Sequence, residues 1–85
     1  MSPVRVTLLS KPGCHLCDAA RDAVTEVIAS TGVEASVEEL SILDDPALNE
    51  RYWDEIPVVL IDDKVHTIWR VDPDRFALAL KERNA

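Results

Sequence analysis

Apolar and polar positions alternate along the chain with two different periods. Val4, Val6, Leu8 and Leu9, interrupted only by Arg5 and Thr7, predict a strand over Val4–Leu9. Its β-branched, two-sided apolar character places it centrally in a sheet. From Cys14 the period lengthens. Leu16, Ala20, Ala23, Val24, Val27 and Ile28 recur at helical spacing, and Asp18, Arg21, Asp22 and Glu26 mark the wet side. This helix runs to about Ser30, where Gly32 stops it. Ser10-Lys11-Pro12-Gly13, rich in breakers, is the loop between strand and helix.

Further on, Ala35, Val37 and Leu40 predict a second strand within Val33–Leu43, with a ragged pattern. Asp45 as N-cap and Pro46 as first helical residue open a short helix with Leu48 and Tyr52 on one face. That helix must end before Pro57, because the residue preceding a proline avoids the α region. The unbroken apolar run Pro57–Ile61 predicts a strand buried on both faces. Asp62-Asp63-Lys64 forms a turn, Val65–Ile68 returns as the hairpin partner, and Asp72-Pro73 opens a last helix striped by Phe76, Ala79 and Leu80. The order is β-α-β-α-β-β-α. It defines one α/β domain over residues 1–85: a four-stranded mixed sheet flanked by helices, strands 1 and 2 parallel through a right-handed crossover.

Composition narrows the function. A hydrophobic fraction of 47% and a charged fraction of 29% are those of an ordinary globule. A net charge of −7 argues against nucleic acid and anionic membranes, and suits a partner with a basic docking face. No apolar stretch approaches a membrane span, and Met1–Arg5 lacks the apolar core of a signal peptide. The expected location is therefore the cytoplasm, where thiols stay reduced. A CxxC pair there points to catalysis or metal binding rather than a structural staple.

The two cysteines, Cys14 and Cys17, are the chain's only ones. Three residues apart in the first turn of a helix, they share a face and can reach each other. Unpaired N–H groups and the positive end of the helix dipole favour a thiolate there. A thiolate beside a second thiol is the minimum equipment for thiol–disulfide exchange. Cys14 lies nearer the free N–H groups and solvent, with Lys11 and His15 as neighbours. The rival, half of a zinc site, needs four ligands in a tetrahedron. His15, between the cysteines and pointing off the helix, does not close it. His66 reads as a surface residue. Trp53 either lines a docking groove or caps the small core. The adjacent pairs Asp44-Asp45 and Asp62-Asp63 are explained by capping and turns.

Lys11-Pro12-Gly13-Cys14-His15-Leu16-Cys17 after strand 1, Ile56-Pro57 opening strand 3 and Asp72-Pro73-Asp74 opening the last helix together resemble the glutaredoxin-like family of the thioredoxin superfamily, over nearly the whole length. The resemblance implies a thioredoxin-like, glutaredoxin-type fold with sheet order 2-1-3-4. It implies Cys14 as nucleophile and Cys17 as resolving thiol. It also implies a cis Pro57 facing them, with the backbone of Ile56 pairing with substrate. Lys11, His15, Val71 and Asp72 complete the implied substrate site.

The chain departs from glutaredoxins at two places. His15-Leu16 stands where they carry Pro-Tyr, and Trp69-Arg70-Val71-Asp72 stands where glutathione users carry Gly-Gly. Trp69 and Pro73-Asp74-Arg75 are similar to redoxins that take electrons from thioredoxin reductase. The expected activity is thiol–disulfide exchange on a disulfide-containing protein or small thiol substrate. The electron donor is a dithiol reductase or glutathione, with the dithiol reductase favoured. No permanent cofactor or metal and a monomeric state are expected. The alternative is a non-catalytic thioredoxin-fold module that binds proteins or senses redox state.

Overall fold

The computed structural model describes residues 3–84. β1 (Val4–Ser10) is followed by α1 (His15–Thr31), β2 (Ala35–Ser41), a 3₁₀ turn (Ile42–Asp44), α2 (Pro46–Tyr52), β3 (Val58–Ile61), β4 (Lys64–Ile68) and α3 (Pro73–Asn84). The strands form one sheet in the order β2-β1-β3-β4. β1 pairs in parallel with β2, Val4 opposite Ala35 and Ser10 opposite Ser41. It pairs antiparallel with β3, Leu8 opposite Val59. β1 is thus central, as its two-sided apolar run requires.

Successive residues of a strand face opposite sides, and two cores follow from this. Val4, Val6 and Leu8 of β1 join Val59 and Ile61 of β3 beneath α1 (Ala20, Val24, Val27) and α3 (Phe76, Leu80). Leu9 and Val58 turn the other way and pack with Cys17, Ile42 and Ile56, covered by Leu48 and Tyr52 of α2. Phe76 and Leu80 are fully buried, so the apolar stripe of α3 is what fixes that helix to the sheet.

The local signals act as their chemistry dictates. Gly32 adopts a left-handed conformation (φ 69°) and its N–H donates to the Ile28 carbonyl at 3.2 Å, closing α1. Asp45 accepts the amides of Ala47 (2.9 Å) and Leu48 (3.4 Å), with Pro46 as first helical residue. Asp72 does the same for Asp74 (3.0 Å) and Arg75 (3.3 Å). Asp62 and Asp63 both have positive φ, the backbone of a two-residue hairpin turn. Asp62 accepts the Arg5 amide at 2.9 Å and the Arg83 guanidinium at 2.8 Å, which hold its carboxyl below the usual carboxylate range.

Two expectations need correction. His66 is half-buried rather than a surface residue. The β3–β4 register slips between Val59 and Leu60, which face Thr67 and Val65, so His66 has no partner on β3. Such a bulge re-aims a side chain. The imidazole packs against Phe76, ring centroids 5.8 Å apart, and burial pushes its pKa down, helped by Arg75. Trp53 does not cap the core, since it is 64% exposed. The sequence also gave no warning of the 3₁₀ turn, which carries the buried Ile42 into the second core.

Candidate active site

The loop after β1 is short and stiff. Gly13 takes a positive φ of 78°, turning the chain so that Cys14 becomes the N-cap of α1. A cap normally offers a side-chain oxygen to the orphan amides of the first turn. Here the acceptor is sulfur: the Cys17 N–H donates to Cys14 Sγ at 3.2 Å. Both cysteines are free thiols, Cys14 half-buried and Cys17 buried. Burial pushes the Cys17 thiol up to about 11, reinforced by its hydrogen bond with Cys14 and opposed by the Lys11 backbone. The pair is thus asymmetric. One sulfur is accessible and faces a donor; the other is buried and held protonated.

The segment before β3 packs in the same cluster as the pair. The Ile56–Pro57 peptide is cis, and Pro57 is fully buried. Ile56 and Val58 pack in the same cluster as Cys17, with Cys14 at its edge. Cys14, Cys17, Ile56 and Pro57 are therefore assembled at one end of the sheet, from segments some forty residues apart.

The remaining candidates disperse. His15 is exposed on the first turn of α1. Lys11 is exposed and lines a polar groove with Arg21, Glu39 and Asp44. Val71 is half-buried, packs against the core of α1 and α3, and lines a different groove from Lys11. Asp72 is the N-cap of α3, its carboxylate occupied by the helix amides. Among the described residues no three His, Cys, Asp or Glu side chains gather as metal ligands.

Two features depend on the tertiary structure. Beside Cys17, Arg21 grips Glu39 through both carboxylate oxygens (2.6 and 2.7 Å), and the buried Ser10 hydroxyl donates to Glu39 at 2.7 Å. Arg21, then Ser10, hold the Glu39 carboxyl below its ordinary range. Arg21 also meets Asp18 at 2.9 Å, so Asp18 is not a free charge near Cys14. The second feature is Trp69. Its main-chain N–H donates to the Pro57 carbonyl at 2.8 Å and its indole Nε1–H to the Asp54 carbonyl at 2.9 Å. It clamps the loop after β4 onto the proline segment. A ragged edge strand hid Glu39. For Trp69, the signal was an aromatic residue just before a helix-opening Asp-Pro pair.

A β2-β1-β3-β4 sheet between helices, a CxxC at the start of α1 and a cis-proline opening β3 define a thioredoxin-like protein. More narrowly, the chain belongs to the glutaredoxin-like domain family (DUF836), whose pattern matches residues 5–81. It is similar to an uncharacterised protein of Mycobacterium tuberculosis, 30% identical over 78 residues that span 88% of this chain and 80% of that one. A structural-genomics target from X. campestris superposes with a TM-score of 0.74 at 28% identity, covering 91% of this chain and 96% of that chain. Mitochondrial thioredoxin 3 of Saccharomyces cerevisiae, in its oxidised form, shares the fold with a TM-score of 0.66 at 11% identity, covering 96% and 80%.

Proposed function

We propose that this protein is a thiol–disulfide oxidoreductase working through the Cys14–Cys17 dithiol. The observation that carries this reading is the sulfur cap: Cys14 Sγ accepts the Cys17 amide at 3.2 Å while the Cys17 side chain is buried behind it. A thiolate at Cys14 attacks one sulfur of a substrate disulfide. The Cys14–substrate bond forms, the substrate S–S bond breaks, and the departing sulfur leaves as a thiolate that takes up a proton. Cys17 then loses its proton and attacks Cys14 Sγ, releasing the second substrate thiol and leaving a Cys14–Cys17 disulfide. Two electrons have passed to the substrate. An external dithiol returns them by the same exchange in reverse.

The donor we favour is a dithiol protein or a flavin-dependent dithiol reductase. Glutathione would present two carboxylates and a peptide backbone. The N–H groups that open α3 are already taken by Asp72. Val71, a β-branched residue, stands where a ligand backbone would approach. Lys11 lies in a groove apart from both. A reducing compartment such as the cytoplasm suits this cycle. Residues 3–84 contain no helix long and apolar enough to cross a membrane.

The test is turnover of a small disulfide with a regenerating dithiol. The expected result is sustained reduction that Cys14→Ser abolishes. Specific protein binding with no turnover would instead establish a non-catalytic module.

A further inference from the structure

The register slip between β3 and β4 turns two consecutive side chains of the edge strand toward α3. His66 packs against Phe76 of that helix. Thr67 pairs with Val59, whose side chain belongs to the core beneath α1 and α3. Each holds one polar atom shielded from solvent, His66 Nε2 and Thr67 Oγ1, with no hydrogen-bond partner among the described residues. Buried polar atoms are normally paired. Both residues line a groove of about 470 Å³ between β4, the loop after it and the first turn of α3. That volume is within the range of small-molecule sites, about 300–1,000 Å³. The charged walls are Arg70, Asp72 and Arg75, and none of Cys14, Cys17, Ile56 and Pro57 lines the groove.

The arginines single this groove out. Of the six in the chain, Arg5, Arg21, Arg51 and Arg83 each meet a carboxylate. Arg70 and Arg75 are exposed and belong to no ion pair among the described residues, and both line this one groove. Asp72 is its anionic wall, but one oxygen of that carboxylate accepts the amides of Asp74 and Arg75. The first-turn amides of α3 are thus already occupied, and the local excess of positive charge comes from the two side chains.

We propose that this groove binds the phosphate group of a small phosphate monoester, held by Arg70, Arg75, the Thr67 hydroxyl and the His66 imidazole. The site is separate from the dithiol and stands whether or not the oxidoreductase reading does. A guanidinium presents paired N–H donors that match two oxygens of a phosphate. The hydroxyl can donate, and a neutral imidazole can carry its proton on Nε2. These donors come from a strand, a loop and a helix. Donors on three sides suit a tetrahedral head with three free oxygens better than a flat carboxylate with two. Charge also limits the size of the ligand. The net charge of −7 repels an acidic macromolecule. A small anion, screened over about 8 Å at physiological salt, feels chiefly the two arginines beside it.

The experiment titrates the full chain, labelled with nitrogen-15, with glycerol phosphate at constant ionic strength near physiological salt. Backbone amide and His66 ring signals are followed by NMR. The expected result is a saturable shift centred on residues 66–75. Arg70→Gln and Arg75→Gln should each weaken binding about tenfold, the scale of a lost hydrogen bond between charged groups. Both side chains are exposed and unpaired, so the fold should survive, which the unshifted remainder of each spectrum verifies. Thr67→Val, which keeps the shape and removes the hydroxyl, should weaken binding without changing its salt dependence. Succinate and a phosphoserine peptide are the comparison ligands. Shifts that do not saturate, or that spread equally to Lys11 and Lys81, overturn the proposal. So does an affinity unchanged in both arginine variants. Succinate binding as tightly as the ester overturns the phosphate assignment, and tighter binding of the peptide overturns the small-molecule assignment.

Discussion

The amide of Cys17 donates to the sulfur of Cys14 across 3.2 Å. The accessible thiol of the pair is thus held by the backbone of the buried one. Burial withholds negative charge from Cys17. Limited alkylation of the reduced protein near neutral pH should label Cys14 first, read by peptide mass spectrometry. Cys17→Ser should still attack a disulfide but accumulate as a mixed disulfide. Faster labelling at Cys17 would reverse the assignment.

The buried thiol also carries a pH signature. Burial lifts Cys17 from an ordinary 9.0 to about 11 in the fold. An unfolded chain ionises this group first as pH rises, so it binds fewer protons than the native state in that interval. The contribution is therefore intact below pH 9 and lost progressively toward 11. Denaturant titrations of the reduced protein should show stability falling across this window. Cys17→Ala should show a shallower fall; an equal slope in both would refute the account.

His66 gives the opposite dependence. Burial lowers its pKa from 6.5, so the unfolded chain takes up the proton first as pH falls. Stability from the neutral imidazole is complete above 6.5 and declines below it. Replacing His66 with Phe should flatten the curve between pH 7 and 5. An NMR titration placing the His66 midpoint at or above 6.5 would contradict the burial argument.

Phe76 packs α3 against the His66 imidazole and is fully buried. Phe76→Ala should cost about 3–5 kcal/mol, enough to leave a small domain marginal or unfolded. Phe76→Leu, closer in volume, should cost about 1.5 kcal/mol or less. Thermal melts of the two variants measure the difference.

The occupied amides of α3 bear on the electron donor. The oxidised protein should be reduced slowly by glutathione with its reductase, and faster by thioredoxin reductase with NADPH. Each lost glutathione contact worth about 1.4 kcal/mol lowers affinity tenfold. A higher rate with glutathione would show that Asp72 and Val71 yield to the tripeptide.

Much of this arrangement was legible because it depends on local chemistry. Gly32, Asp45-Pro46 and Asp72-Pro73 mark their helix ends whatever the rest of the chain does. Val4–Leu9 declares a central strand through apolar residues on both faces. What stayed hidden depends on pairing across the sheet. The position of His66 is decided by a register slip between β3 and β4, and nothing in the neighbourhood of His66 encodes it. The grip of Arg21 on Glu39 joins a helix to an edge strand whose polar pattern looks like any solvated surface. The cysteines were plain from their spacing, and the cis Ile56–Pro57 peptide from family resemblance. The clamp of Trp69 on the carbonyls of Pro57 and Asp54 needed the tertiary structure.

Because β1 is central, the chain cannot finish burying its second thiol until late in synthesis. The first β-α-β unit, residues 4–41, leaves the ribosome with one edge of β1 bare. Ile56 and Val58, which cover Cys17, follow only after some fifteen further residues. At about 5–20 residues per second, that interval lasts on the order of seconds. During it the cover over Cys17 is incomplete, and the contrast between one buried and one accessible sulfur is not yet fully drawn. The newborn protein acquires its chemical polarity only when its third strand arrives.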